Sequence, residues 1–470
     1  MLQTLKNAWR TKDIRSKLLF TMLILLLYRI GTVIPVPFVD AHDFAGSFSG
    51  TILDYLNILS GGSLGQATLF ALGVSPYINS SIIIQLLAVV FPKLGEISKN
   101  DKKKMGYITR VTTVILAVIT AIGYYYLLAG SALTPAATKG QNSLYWFYGI
   151  VIVVCYVAGA SLVMWLADRI NEHGIGNGVS MILFANIVVA LPQQAINMFY
   201  LIRDTFMYEN NRVLYIILAI LFALLLAAII LAMTMFVIFI TGSERRIPVQ
   251  YAKRVVGRKM YGGQSSNLPI KLNMTGVMPV IFASSIVSLA PTILMLCGVS
   301  GSGDTFWDKF YRFIGQDGFV YPIVFFLLIL GFAYFYTQIT FDPVDVANNL
   351  KKQGGAIPGI RQGRPTSDYI KKILNKITLA GALFLSVIAV LPIIAGPHVI
   401  QHIIEWIIGG YYADAATRTQ YAAIITAYAK QYSSVFTFGG TSLIIVVGVA
   451  LETFRELEAQ LTMRNYKGFL

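Results

Sequence analysis

Residues 51–90 read TILDYLNILSGGSLGQATLFALGVSPYINSSIIIQLLAVV, and the fold turns on how this stretch divides. Its first part, 51–59, carries Ile52, Tyr55, Leu56 and Leu59 at helical spacing on one face. Nine helical residues reach about 14 Å, roughly half of a bilayer's hydrocarbon core, so this piece is expected not to span. Gly50 on one side and Gly61-Gly62 on the other are places where the chain bends at little cost. The apolar segment that follows, 67–91, reads as a spanning helix notched by Pro76, Asn79, Ser80, Ser81 and Gln85. A short re-entrant helix, a glycine hinge and a polar-notched span predict chain set inside a cavity rather than against lipid. The short helix is then expected to stop a pore.

Composition agrees with a membrane setting. The 470 residues are 56% hydrophobic and 13% charged; a soluble domain carries about twice that charged fraction. Ten apolar runs long enough to cross are expected: 18–36, 67–91, 111–130, 147–167, 178–195, 213–240, 275–298, 321–341, 377–396 and 435–454. The first is too long for a signal-peptide core and no small-residue cleavage site follows it, so it reads as a retained helix. Grouping the connections by alternate side puts 29 of the 37 Lys and Arg on one face. By the positive-inside rule that face is cytoplasmic, with both ends of the chain inside. Cys155 and Cys297 both sit in apolar runs and read as packing residues rather than a disulfide.

The chain divides into a cytoplasmic amphipathic segment (1–17), an N-terminal half with helices 1–5 (18–195, its stopper at 51–65) and an outer connection (196–212). A C-terminal half with helices 6–10 (213–454) and a cytoplasmic tail (455–470) complete it. In the first segment Leu2, Leu5, Ala8 and Trp9 are expected towards lipid. Arg29, inside the first span, either faces the interior of the bundle, pairs with an acid or snorkels outward. Five helices per half with both ends on one side means the halves are oppositely oriented, the arrangement that builds a central pathway. The loops 241–274 and 342–376 exceed what a connection needs, and unexcused long loops are usually functional. Residues 247–256 carry a strand-like pattern. The fourteen Lys and Arg of the two loops either only fix topology or form a docking surface for an acidic partner or RNA phosphates. Tyr251, Tyr261 and Ile360 would add apolar anchors to such a surface.

Missing chemistry narrows the function. Every Asp and Glu lies at a span end or in a connection, whereas an ion-coupled transporter places carboxylates at membrane depth. Asn79, Gln85, Asn186 and Asn273 are the polar residues placed within or beside the membrane. Gly174, Gly176 and Gly178 superficially suggest a phosphate loop, but no strand precedes them, so a tight turn is the better reading. His398 and His402 lack a third metal ligand nearby, and no nucleophilic triad, zinc-protease helix or nucleotide loop occurs. No cofactor is expected and an enzyme is improbable. A passive pathway powered by a partner fits best, with a small-solute transporter as runner-up and a membrane scaffold third.

Six segments taken in order, GGSLGQATLFALGVSPYINSSIIIQLL, RINEHGIGNGVSMILFANIV, RRIPVQYAKR, LPIKLNMTGVMPVIFASSI, NNLKKQGGAIPGIR and FGGTSLIIVV, closely resemble the SecY family, central subunits of the bacterial protein-conducting channel. The resemblance implies an all-α membrane protein with ten helices in two inverted halves around an hourglass pore. Its waist would be a ring of Val74, Ile78, Val179, Leu183, Ile281 and Ile445, since an apolar constriction resists wetting. The plug would be Thr51, Ile52, Leu53, Asp54, Tyr55, Leu56, Asn57, Ile58 and Leu59 with the hinge Gly61 and Gly62. A lateral gate between helices 2 and 7 would carry Ser81, Gln85, Asn273 and Thr275. Lys253, Arg254, Arg258 and Arg361 would receive a ribosome or the SecA motor. SecE and SecG are the implied partner subunits, signal sequences and nascent chains the cargo, and the bacterial plasma membrane the setting. The outer segment 397–434 is longer than the family pattern and its role stays open.

Overall fold

The computed structural model describes residues 2–40, 52–129, 133, 145–206, 212–251, 254–256, 259–261, 265–297, 299, 303, 305–315, 320–411 and 440–463. Thr51, Lys253, Arg258 and all of 412–439 therefore lie outside the described residues. Helices run in the order α1 (Leu2–Arg10), α2 (Lys12–Gly31), α3 (Ile52–Leu59), α4 (Ser75–Val90), α5 (Pro92–Asn100), α6 (Lys102–Ala129), α7 (Tyr145–His173), α8 (Gly178–Phe206) and α9 (Arg212–Gly242). Strands β1 (Glu244–Tyr251), β2 (Arg254–Val256), β3 (Lys259–Tyr261) and β4 (Ser265–Lys271) follow, then α10 (Met278–Leu296), α11 (Phe306–Ile314), α12 (Val320–Thr340), α13 (Pro343–Lys352), β5 (Gly355–Ala356) and α14 (Arg364–Tyr411). A last helix, α15, covers 440–463.

Each of the ten expected spans holds a helix. By length and composition, five described helices are able to cross a bilayer, or six when α4 and α5 count as one bent span. That bend, 117°, falls at Phe91-Pro92. A residue before proline is pushed out of helical backbone, and Phe91 is extended with ψ 110°.

The second span departs from its sequence reading. Only Ser75–Val90 is helical, and the apolar residues before it form successive turns. Apolar content does not dictate helix here, because Gly61, Gly62, Ala67 and Gly73 all take positive φ. Ala67, at φ 47°, is strained and is held by its neighbours. Its carbonyl accepts the Val36 N–H at 3.3 Å and the Tyr156 hydroxyl at 3.3 Å. The Tyr124 hydroxyl donates to the Leu64 carbonyl, and the Leu69 N–H to the Ile34 carbonyl at 2.9 Å. Non-helical backbone survives at membrane depth only when protein groups satisfy it, and these tyrosines from α6 and α7 do so.

One apolar core runs through both halves. It joins Tyr28 of α2, Ile78 and Ile82 of α4, Ile182 and Ile187 of α8, Val280 and Ile281 of α10, Phe325 of α12, Ile388 of α14 and Ile444 of α15. Within the halves α4 packs on α6, α6 on α7, α10 on α12 and α12 on α14; across them α10 meets α3, α4 and α6. A second core lies at the end near Val36, Leu64, Leu128 and Tyr156.

At the opposite end the chain is tied together. The Gly176 N–H donates to Glu456 of α15 at 2.9 Å, Lys17 to Gln460 at 3.3 Å and Arg455 to the Thr241 carbonyl at 2.8 Å. The α7–α8 turn is the tight turn expected: Asn171 Oδ1 accepts the Gly178 N–H at 2.7 Å, and a Cβ on Gly178 would lie 2.0 Å from the Ala167 carbonyl oxygen. Ala8, expected towards lipid, is instead fully buried against Ile14, Ile175 and Leu457; Trp9 is exposed.

The two large loops are one unit. β1 pairs antiparallel with β4 from Glu244↔Lys271 to Gln250↔Ser265, and its far edge pairs with β5 of the second loop at Gln250↔Ala356. Ile247, Val249, Ile270, Leu350, Ile357, Ile370 and Leu374 form a separate core beneath this sheet. β2 and β3 make a hairpin at the tip.

Candidate functional site

The six expected ring residues come from four helices and belong to one apolar core. Val74 precedes α4, Ile78 lies in it, Val179 and Leu183 in α8, Ile281 in α10 and Ile445 in α15. Val74, Ile78, Leu183, Ile281 and Ile445 are buried in the main core, and Val179 packs on it. Ile78, Leu183, Ile281 and Ile445 line a cavity of about 110 Å³ together with Leu56 and Leu59 of α3. Such a volume admits a few waters, not a polypeptide. The aliphatic side chains make that part of the wall costly to wet.

The short helix α3 sits against this ring, on α8 and α10, and its C-terminal end is held by specific bonds. Asn57 Oδ1 accepts the Gly65 N–H at 2.7 Å and Ser60 Oγ the Leu64 N–H at 3.1 Å. Gly61 at φ 68° and Gly62 at φ 87° make the reversal. Asn186 of α8 then clasps the hinge: its Nδ2 donates to the Leu59 carbonyl at 2.8 Å and to the Tyr28 hydroxyl at 2.9 Å. A Cβ on Gly61 would stand 2.8 Å from Asn186 Oδ1, so glycine is needed there for space as well as for φ. Among the described residues Arg29 pairs with no acid and bonds to backbone and hydroxyl oxygens instead. Its guanidinium donates to the Gly61 carbonyl at 3.2 Å and to Thr32 Oγ1 at 3.1 Å. Of the expected plug, the backbone of 52–59 is helical, and the side chains of Leu56, Asn57, Ile58 and Leu59 are described. Thr51 is outside the described residues.

Between the halves, α4 faces α10 and α12. Gln85 donates to Ser81 Oγ at 2.9 Å, and Gln85 Oε1 accepts from the Tyr336 hydroxyl of α12. Asn273 is buried and Thr275 half-buried in the turn before α10, apart from this pair's hydrogen bonds. The polar link across the seam is thus made by Tyr336, a residue the sequence reading did not single out. A tyrosine in an apolar run carries no polar signal of its own. Apolar contacts complete the seam, including Ile82 of α4 and Phe282 of α10, whose ring stands 5.0 Å from that of Tyr336.

Also unforeseen is a polar strip on α10. Ser284, Ser285, Ser288 and Thr292 line the cavity with Asn79 and Thr120. Ser284, Ser288 and Thr292 donate back to carbonyls of their own helix. Asn79 Oδ1 is buried and finds no hydrogen-bond partner among the described residues. The recurrence of hydroxyls three and four apart in an apolar helix is the signal that marks this face.

On the loop unit, Arg361 is exposed, in a turn between Gly359 at φ 81° and Gly363 at φ 99°, with its carbonyl capped by Thr366. Arg254 opens the tip hairpin. Lys253 and Arg258 lie outside the described residues. Tyr251 and Ile360, expected as anchors for a partner, pack against the loops' own core. Among the described residues no cluster of His, Cys, Asp or Glu is arranged to hold a metal.

Comparison with known proteins agrees with this architecture. Residues 68–454 match the SecY family model. The chain is 38% identical over 483 residues to the protein translocase subunit SecY of Streptomyces galbus, and 39% identical over 486 residues to that of Halalkalibacterium halodurans, covering all of both chains in each case. Its backbone resembles a solved protein-conducting channel with a TM-score of 0.60 at 17% identity, covering 95% of this chain and 92% of that one. It also resembles Sec61 from the canine ribosome–channel complex, with a TM-score of 0.57 at 16% identity and the same coverage. Aliphatic side chains gathered against a short helix, a family model covering residues 68–454 and relatives matched from end to end lead to one conclusion: this chain belongs to the SecY family.

Proposed function

We infer that the chain is the channel subunit of a protein translocase, a passive conduit whose closed state is the one described above. One observation carries this reading: aliphatic side chains from α4, α8, α10 and α15 converge on α3, a helix too short to span. The six ring residues form the seal, α3 with its Gly61-Gly62 hinge is the plug, and Ser81, Gln85, Asn273 and Thr275 lie along the lateral gate, to which Tyr336 is added. Unfolded secretory chains pass through the ring. A greasy signal or transmembrane segment intercalates between α4 and α10 and leaves sideways into lipid, where hydrogen bonds such as Tyr336–Gln85 oppose opening by roughly 0.6–2 kcal/mol each. A small-solute transporter finds no support among the relatives.

Energy enters from partners. The loop unit, which carries Arg254 and the exposed Arg361, receives a SecA-type ATPase or a translating ribosome, and SecE and SecG complete the complex. The ribosome is the partner named for the canine Sec61 neighbour. The charge bias of the connections puts the loops and both ends of the chain in the cytoplasm of a bacterial plasma membrane.

The test is a disulfide across the seam with Ser81→Cys and Asn273→Cys in the full chain. With the crosslink formed, secretion of a reporter protein stops, and reduction restores it. Full-rate secretion with the crosslink intact would overturn the gate.

A further inference from the structure

We propose that α11 lies flat in the outer headgroup region of the bilayer and pins the far end of gate helix α10 to the lipid surface. The helix, FWDKFYRFI, connects α10 to α12 at the end of the bundle opposite the loop unit. With 3.6 residues per turn, Phe306, Trp307, Phe310, Tyr311, Phe313 and Ile314 cover an arc of about 160°, while Asp308, Lys309 and Arg312 share the other side. An amphipathic helix on a soluble surface normally turns its apolar face into the protein. This one does not: no residue of α11 is buried, and Phe306, Trp307, Phe310 and Phe313 are 38–71% exposed. By contrast α1, another short amphipathic helix, buries Ala8 against Ile14, Ile175 and Leu457.

Lipid is the occupant that fits. The exposed aromatic face continues the exposed apolar belt of the helices on either side, Ile293 on α10 and Ile323 and Leu327 on α12. Tryptophan and other aromatics favour the headgroup level, and basic residues on the polar side suit anionic lipid. Arg312 ties the helix to its own approach loop through the Gly303 carbonyl at 3.1 Å, and Phe306 stacks on Phe310 at 6.3 Å, so the face is presented as a unit. Pro291 inside α10 removes one backbone bond just before this anchor. The helix bends there most easily, between the seam and the membrane surface.

The experiment uses the full chain in vesicles of phosphatidylcholine and phosphatidylglycerol, with Cys155→Ser and Cys297→Ser as background. A fluorophore is placed at Trp307→Cys or, on the polar side, at Lys309→Cys. Lipid carrying a nitroxide near its headgroup abolishes most of the emission at 307 and little at 309, and aqueous iodide does the reverse. If iodide quenches both sites equally, the helix sits in water and the proposal fails. If neither quencher reaches 307, a protein covers the face, which overturns it too. Native Trp307 supplies a second measurement without labelling: brominated lipid quenches a component of the tryptophan emission that Trp307→Phe removes. Neither readout depends on transport, so it stands or falls separately from the channel function.

Discussion

Replacing Asn186 by leucine should make the channel leak without any partner bound. Leucine nearly matches the side chain in size but donates nothing. The Leu59 carbonyl loses its 2.8 Å donor and the Tyr28 hydroxyl loses a 2.9 Å neighbour. Asn186 is 1% exposed, so water does not readily replace it. An unpaired buried acceptor costs about 1–3 kcal/mol. That cost falls on the seated plug alone, because a displaced hinge exposes the carbonyl to solvent. The seated-to-displaced ratio then falls by roughly 5- to 150-fold. Tyr28→Phe is the internal control: it removes the Tyr28–Asn186 bond but leaves the Leu59 carbonyl paired, so its shift stays near the lower bound. The assay is ion conductance of the purified channel in planar bilayers, with open probability counted per channel. Asn186→Leu gives frequent openings, Tyr28→Phe few. If Asn186→Leu conducts no more than the parent chain while deletion of 52–59 does conduct, the clasp does not hold the plug and the reasoning fails.

Four further outcomes are expected. Ile78→Gly and Ile281→Gly combined with deletion of 52–59 remove both ring bulk and stopper, and vesicles holding that variant lose an ion gradient that the single changes largely keep. Tyr336→Phe frees Gln85 and loosens the seam by about 0.6–2 kcal/mol, seen as faster secretion of a reporter with a weakened signal sequence. Arg361→Glu leaves the fold intact, since the side chain is exposed, but weakens co-sedimentation with the ribosome or motor, more so at low salt. Ile357→Ala, at 4% exposure in the loop core, costs about 2–5 kcal/mol and makes the loop unit sensitive to protease while the membrane helices stay protected.

Much of this was legible in the residues. Hydrophobic runs located a helix in every expected span, and the glycine pair marked the reversal after α3. Four things were not. The turns before α4 are as apolar as a helix, and only the positive φ values at Gly61, Gly62, Ala67 and Gly73 separate them. The strand-like pattern at 247–256 foretold β1, but its pairing with β5, more than a hundred residues later, is a tertiary choice without local signal. Arg29 donates to the Gly61 backbone carbonyl as well as to Thr32, and a backbone acceptor carries no mark in a sequence. The aromatic helix α11 is too short for a span and too charged for a core, so it passed as connection.

The β1–β5 pairing has a mechanical consequence. Two loops that moved independently would let a force act on one and leave the other slack. Hydrogen-bonded into one sheet over a shared core, they act as a single rigid arm. β4 at one side of that arm runs within a few residues into α10, and α14 rises from the other. A force applied to either loop is therefore shared by both, and it enters the bundle through α10 and α14 together.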